Sequence, residues 1–242
     1  MSNSLRLALF ISGSGTTAEA ILLAVKKGIL AIDPVLVIAS KIGIAGIDRV
    51  KNVRIRNLQV EVVDPKKIGD KNIFAEKLID KCKTYKVDLI GQYGWLPLTP
   101  KKFVKAYEER ILNQHCGPLD PPREGFGGKG MWGRRVHCAV LYFRRVTNHY
   151  LWTEATTHLV TSEFDKGAVV KRKRINILPT DTVEELQKRV KTIEHQVQID
   201  LLQDFIKGIV RRLKRDVPLI SKNEFELLIK AKKIASILYP NG

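Results

Sequence analysis

Apolar and polar positions along the first ninety residues come in short alternating blocks. Leu5 to Ser12 (LRLALFIS) is a β-type run that breaks at Gly13. Thr16 to Lys27 follows with Ala20, Leu23, Ala24 and Lys27 at helical spacing. Pro34 to Ala39 (PVLVIA) is continuously apolar, the pattern of a strand covered on both faces of a parallel sheet. A weak helix over Gly46 to Asn52, a strand over Val60 to Val63 closed by Asp64-Pro65, an amphipathic helix over Lys71 to Tyr85 and a strand over Val87 to Gly91 complete the series. Strands alternating with helices in this way predict an α/β fold with a doubly wound, mostly parallel sheet and right-handed crossovers.

The pattern then changes. Arg110 to Gln114 reads as one more short strand, and Cys116 to Gly133 (CGPLDPPREGFGGKGMWG) as loop, because adjacent prolines and repeated glycines exclude helix. Arg134 to Thr147 predicts a helix. Trp152 to Thr161 and Ala168 to Ile177 read as strands joined through the turn sequence Phe164-Asp165-Lys166-Gly167, an antiparallel part of the fold. Thr182 to Arg215 predicts a long helix or two, with Leu186, Val190, Ile193, Val197, Leu201, Leu202 and Phe205 on one stripe. A last helix is expected over Asn223 to Leu238, after Pro218. Without a repeat or low-complexity linker, residues 1–215 read as one domain with an insert at about 117–135, and residues 216–242 as a C-terminal helical extension.

Composition narrows the function classes. No apolar run approaches the roughly 20 residues of a membrane span, and Leu7 to Ile11 is too short for a secretory signal. The three cysteines, Cys82, Cys116 and Cys138, lack paired spacing and suit a reducing cytoplasm better than a disulfide framework. With 42 Lys+Arg against 25 Asp+Glu, the formal charge is +17, which attracts anions. The basic residues are dispersed along the chain and no aromatic-rich RNA signature accompanies them. They read as a solvated surface, and nucleic acid is not the expected partner.

Three segments carry candidate chemistry. Ser12-Gly13-Ser14-Gly15-Thr16-Thr17 joins a strand to a helix, as a tight turn or as an anion site at the first helical turn; it is not a Walker motif, since no Gly-Lys-Ser/Thr follows. Asn113-Gln114-His115 ends the fifth strand, where ligands bind in such sheets. Asp165 sits in a tight turn, the usual place for a turn-forming aspartate.

In order, these segments resemble the phosphoribosylglycinamide formyltransferases of the formyltransferase superfamily, over about Leu5 to Leu202. The family's phosphate loop, Ile-Ser-Gly-x-Gly-Ser/Thr, is similar to Ile11-Ser12-Gly13-Ser14-Gly15-Thr16, and its Asn-x-His to Asn113-Gln114-His115. Its His-x-Val-Thr-x-Glu-Leu-Asp-x-Gly resembles His158 to Gly167. The resemblance implies a Rossmann-like formyltransferase fold and transfer of a formyl group from 10-formyltetrahydrofolate to the amine of glycinamide ribonucleotide in purine biosynthesis, without a metal. It implies catalytic roles for Asn113, His115 and Asp165, and His158 as an additional site residue. Gly13, Ser14, Gly15, Thr16 and Lys191 would hold the substrate phosphate and Glu194 its ribose. Tyr93, Gly94, Trp95, Leu96 and Phe164 would line the folate pocket. On chemical grounds, Asn113 can donate to the oxyanion of formyl transfer, and Asp165 would raise the basicity of a His115 that relays a proton. Small molecules are the expected partners, the protein being a monomer or homodimer with no membrane partner.

The chain departs from the pattern at Cys116-Gly117-Pro118-Leu119-Asp120-Pro121, where the family continues Pro-Ser-Leu-Leu-Pro, and at Trp152 to Thr157, in place of a His-Gly motif. Both borders touch the expected site and leave other acceptors open, such as a sugar nucleotide or methionyl-tRNA, as well as hydrolysis of the formyl-folate. Cys116 beside His115 and Cys138 beside His137 raise zinc or a thiol nucleophile as a different class, and a non-catalytic RNA-binding protein is a third.

Overall fold

Five of the six residues of the first strand, β1 (Arg6–Ile11), are buried, which requires cover on both faces. The computed structural model describes residues 4–148 and 151–242. Helix α1 (Thr16–Lys26), β2 (Asp33–Ala39), α2 (Ala45–Asn52), β3 (Gln59–Val62), α3 (Pro65–Ile68), α4 (Lys71–Thr84), β4 (Leu89–Gln92), α5 (Lys101–Ala106) and β5 (Ile111–His115) follow. Next come α6 (Arg134–Thr147), β6 (Trp152–Leu159), β7 (Val169–Asn176), α7 (Val183–Lys207), a 3-10 turn at Lys222–Glu224 and α8 (Phe225–Leu238).

The chain divides into two compact units. The first comprises the residues up to Gln114 with Leu159–Ser162 and Gln198–Val210; the second comprises His115–His158, Glu163–Val197 and Arg211–Gly242. In the first, the strands lie in the order β3-β2-β1-β4-β5, all parallel. Strand order reverses between β1 and β4, so the loops after these two strands flank a switch point, the usual ligand crevice of an open α/β sheet. Phe10, Leu36, Phe74, Leu78, Ile90 and Phe103 belong to its apolar core. Aspartates start two of its helices: Asp64 accepts from the Lys66 and Lys67 amides, and Asp70 from those of Asn72 and Ile73. The short α3 and α5 escape a periodicity reading because neither makes two full turns.

In the second unit, β6 pairs antiparallel with β7. Val136, Ala139, Val140 and Phe143 of α6 recur at helical spacing and are buried with Leu186 and Val190 of α7 and with Leu228, Ala231 and Ala235 of α8. The sheet is thus mostly parallel with an antiparallel part, as expected.

One expectation fails. Helix does not continue to Arg215; α7 ends at Lys207. Gly208 has φ +65°, its amide donates to the Phe205 carbonyl and that of Ile209 to the Asp204 carbonyl. This pair of bonds is a Schellman termination. Leu213 instead bridges Val169 of β7 in an extended conformation. Ile209 and Leu213 keep helical spacing, which hides the stop signal that Gly208 provides.

Candidate active site

The loop after β1 is built by close approach of backbone. A Cβ on Gly15 would stand 2.8 Å from the Gly46 Cα, and Gly15 has φ +67°, so this position needs glycine. The Gly46 amide donates to the Gly13 carbonyl at 3.0 Å, fixing the loop against α2. Ser12 ties both switch-point loops together: its amide donates to the Gly94 carbonyl at 3.2 Å, and its Oγ accepts from Leu96 N at 3.0 Å and from Ser40 Oγ at 2.8 Å. Gly13 and Ser14 are exposed at the start of α1. Arg49 closes one side, donating to the Ser14 carbonyl and to Glu19.

The loop after β4 separates buried from open positions. Tyr93 and Trp95 are buried, with Trp95 against Phe10 at 5.0 Å between centroids. Among the described residues, the Tyr93 hydroxyl and Trp95 Nε1 have no hydrogen-bond partner. Gly94 and Leu96 are accessible; Leu96 is 50% exposed. Asn113 is partly buried on β5, in register with Gln92 of β4.

The second unit gathers the other predicted groups. His115 ends β5, His158 lies near the end of β6, and Asp165 occupies the turn between β6 and β7 with φ +56°. The Asp165 carboxylate lies between the two imidazoles: Oδ1 is 3.2 Å from His158 Nε2, and Oδ2 is 3.6 Å from His115 Nδ1. The Gly128 amide donates to Oδ2 at 2.8 Å. Burial opposes ionisation of Asp165, but the charge of His115, the hydrogen bond and charge of His158 and the Gly128 amide outweigh it and hold the carboxyl far below its ordinary range. At His115 the balance goes the other way. Burial lowers its basicity more than Asp165 raises it. Asp165 raises the basicity of His115 as expected, but with 4% exposure desolvation exceeds the attraction of one carboxylate. His115 Nε2 is buried and has no hydrogen-bond partner among the described residues.

Beside Asp165 lies a cavity of about 270 Å³ whose wall includes Phe164, Met131, Lys129, Lys166 and Lys232. Glu194, on α7, is buried, and its charge helps push the Cys116 thiol well above its ordinary range, after burial itself. Lys191, one turn earlier, is partly buried. His137 is buried in α6, where desolvation lowers it to about 3. Among the described residues no group of three or more His, Cys, Asp or Glu could hold a metal ion. Sequence reading did not single out Gly127, Gly128 or Lys232. A paired glycine in the loop was the only signal for the first two, and Lys232 had none.

A model of the family described as formyl transferase matches residues 5–127 and 143–202. The chain belongs to that family. The chain is similar to the chloroplastic phosphoribosylglycinamide formyltransferase of Vigna unguiculata, 30% identical over 219 residues, which are 90% of this chain and 66% of that one. The trifunctional purine biosynthetic protein adenosine-3 of Gallus gallus is 30% identical over 86% of this chain, which spans 19% of its length. The glycinamide ribonucleotide transformylase 1 of Symbiobacterium toebii superposes with a TM-score of 0.74 at 25% identity, covering 88% of this formyltransferase and 96% of the other. Among the described residues, no helix is long and apolar enough to cross a membrane.

Proposed function

We propose that this formyltransferase moves a formyl group from 10-formyltetrahydrofolate to the amine of glycinamide ribonucleotide, a step of purine biosynthesis. The observation that carries the proposal is the Asp165 carboxyl group held between His115 and His158, with a buried His115 Nε2 that has no hydrogen-bond partner among the described residues. The names of the relatives support the choice of substrates.

The chemistry needs an amine to attack a formyl carbon, an oxyanion to be stabilised, and a proton to reach the leaving folate nitrogen. Asp165 faces His115 Nδ1 and favours the tautomer with the proton there, which leaves Nε2 as an acceptor. His115 then takes the amine's proton at Nε2, becomes an imidazolium beside Asp165, and returns the proton to the folate nitrogen as the C–N bond breaks. Asn113 donates to the oxyanion. His158 and the Gly128 amide keep Asp165 ionised and oriented.

In this proposal Gly13, Ser14, Gly15 and Thr16 present the first turn of α1 to the substrate phosphate, with Lys191 supplying charge and Glu194 binding the ribose hydroxyls. Gly94, Leu96 and Phe164 offer surface to the folate, backed by Tyr93 and Trp95. A cytoplasmic setting suits the three free thiols, and the proposal takes the protein as a monomer or homodimer.

The test is incubation with 10-formyltetrahydrofolate and glycinamide ribonucleotide while tetrahydrofolate release is followed optically. Turnover that requires the ribonucleotide is the expected result. Folate binding without turnover would reject this acceptor and leave another one; absence of folate binding would reject the donor as well.

A further inference from the structure

The peptide joining Gly127 to Gly128 is hydrogen-bonded at both ends. Its N–H is the group that donates to Asp165 Oδ2, at 2.8 Å, and its carbonyl accepts from Lys232 Nζ at 2.9 Å. An ammonium on the carbonyl polarises the amide and strengthens its N–H as a donor, because linked hydrogen bonds reinforce one another away from water. The peptide also packs directly against the carboxylate. A Cβ on Gly127 would lie 2.7 Å from Asp165 Cβ and 2.5 Å from Leu119 Cδ2, and Gly128 has φ +105°, which side-chain-bearing residues rarely adopt.

Lys232 reaches this peptide from α8, a helix anchored by the fully buried Ala231 and Ala235 on either side of the lysine. Its side chain is 22% exposed. A simple ion pair with Glu124 explains its position less well. Glu124 Oε2 is 3.9 Å away, whereas Glu124 Oε1 binds Lys166 at 2.8 Å. Both Gly128 and α8 lie outside the residues that the family model matches.

We infer that Lys232 is a positioning residue for Asp165, fixing and polarising the 127–128 peptide whose N–H holds the carboxylate. The inference rests on the role proposed above for Asp165. It makes α8 part of the catalytic apparatus, with Lys232 acting through one backbone peptide.

The experiment compares Lys232→Met and Lys232→Arg with Lys230→Met, which removes a charge from an exposed position of the same helix. In the full chain without substrate, the Gly128 amide proton is followed by NMR for its chemical shift and exchange rate; kcat and KM are then measured with 10-formyltetrahydrofolate and glycinamide ribonucleotide. Lys232→Met is expected to move the Gly128 proton upfield, speed its exchange at least tenfold and lower kcat about tenfold, with both KM values within about twofold. Lys232→Arg should recover most of each change, and Lys230→Met should match the parent. An unmoved Gly128 proton in a folded Lys232→Met protein would overturn the inference. So would a rise in KM with kcat retained, since Lys232 would then be a substrate contact. Absence of turnover in the parent would instead count against the proposed substrates, while the Gly128 signal would still decide the positioning.

Discussion

The two units bury different kinds of groups. Among the described residues, the buried polar side chains of the first unit are uncharged: Ser12, Thr17, Ser40, Gln92, Thr99 and Gln198. Its ion pairs, such as Arg6–Asp33 and Lys102–Glu76, are at the surface. The second unit buries Asp120, Arg144, Glu154, Asp181 and Glu194, and the imidazoles of His115, His137 and His158. The four described histidines, His115, His137, His158 and His195, fall within its segments. Buried ions are costly unless partnered, and these are largely partnered. Arg123 meets Asp120 through both carboxylate oxygens, Arg189 pairs with Asp181, and Glu154 is held by Arg215 with Arg174 nearby. Arg144 is the exception: it rests 4.7 Å from the Trp152 centroid, with Nε and Nη2 unbonded and its basicity lowered to about 10 by burial. The comparison teaches that both units have an apolar core, but only the second also buries charged and titratable groups, as sites for proton transfer do.

The largest effect expected from breaking this division is at the carboxylate itself. Asp165→Asn should lower kcat about a thousandfold while leaving the circular dichroism spectrum unchanged; activity within tenfold of the parent would remove the carboxylate from the chemistry. Next is the buried pair. Glu154→Gln leaves Arg215 without its anion and should cost about 3–5 kcal/mol in urea denaturation. An effect under 1 kcal/mol would show that the second unit tolerates uncompensated charge.

In the first unit the strongest comparable change is steric. Gly15→Ala places a Cβ against the Gly46 backbone at positive φ and should destabilise by about 1–3 kcal/mol. A pH series sharpens the contrast further. His137 is held at about 3, so below its ordinary value near 6.5 the unfolded chain takes up a proton that the folded chain refuses. Stability therefore falls as pH falls from about 6.5, by about 1.4 kcal/mol per pH unit for this one group. His115 acts in the same direction, and so does Asp165, whose stabilising interactions are lost once acid protonates it. His137→Gln should flatten the slope by one proton in denaturation curves at pH 5 to 7; an unchanged slope would mean that His137 titrates normally. The smallest effect belongs to the surface of the first unit, where Arg6→Ala should cost less than about 1 kcal/mol.

The same physics decides what was legible in the sequence. Continuous apolar runs such as PVLVIA report burial on both faces directly, and the parallel strands fall close to their expected ranges. Helix α6 has the predicted limits because its stripe is long and ends at Asn148 in a left-handed conformation. Residues 208–215 were misread because the spacing of Ile209 and Leu213 outweighed one glycine. The histidine and aspartate segments were recognisable as motifs, but fifty positions separate His115 from Asp165, and their distance is set by tertiary packing. The charge state of His115 depends on burial, which no residue type encodes. The Gly127–Gly128 peptide acts through backbone atoms, so its side chains could not announce it.

The cysteines turn the division into a measuring device. Burial pushes Cys82 in the first unit up to about 12 and also raises Cys138 in the second. A thiol held protonated and enclosed reacts with an alkylating reagent only when its surroundings open. With Cys82 and Cys138 retained one at a time, labelling rates would time the local openings of each unit separately, giving a clock for the first unit and another for the charged half.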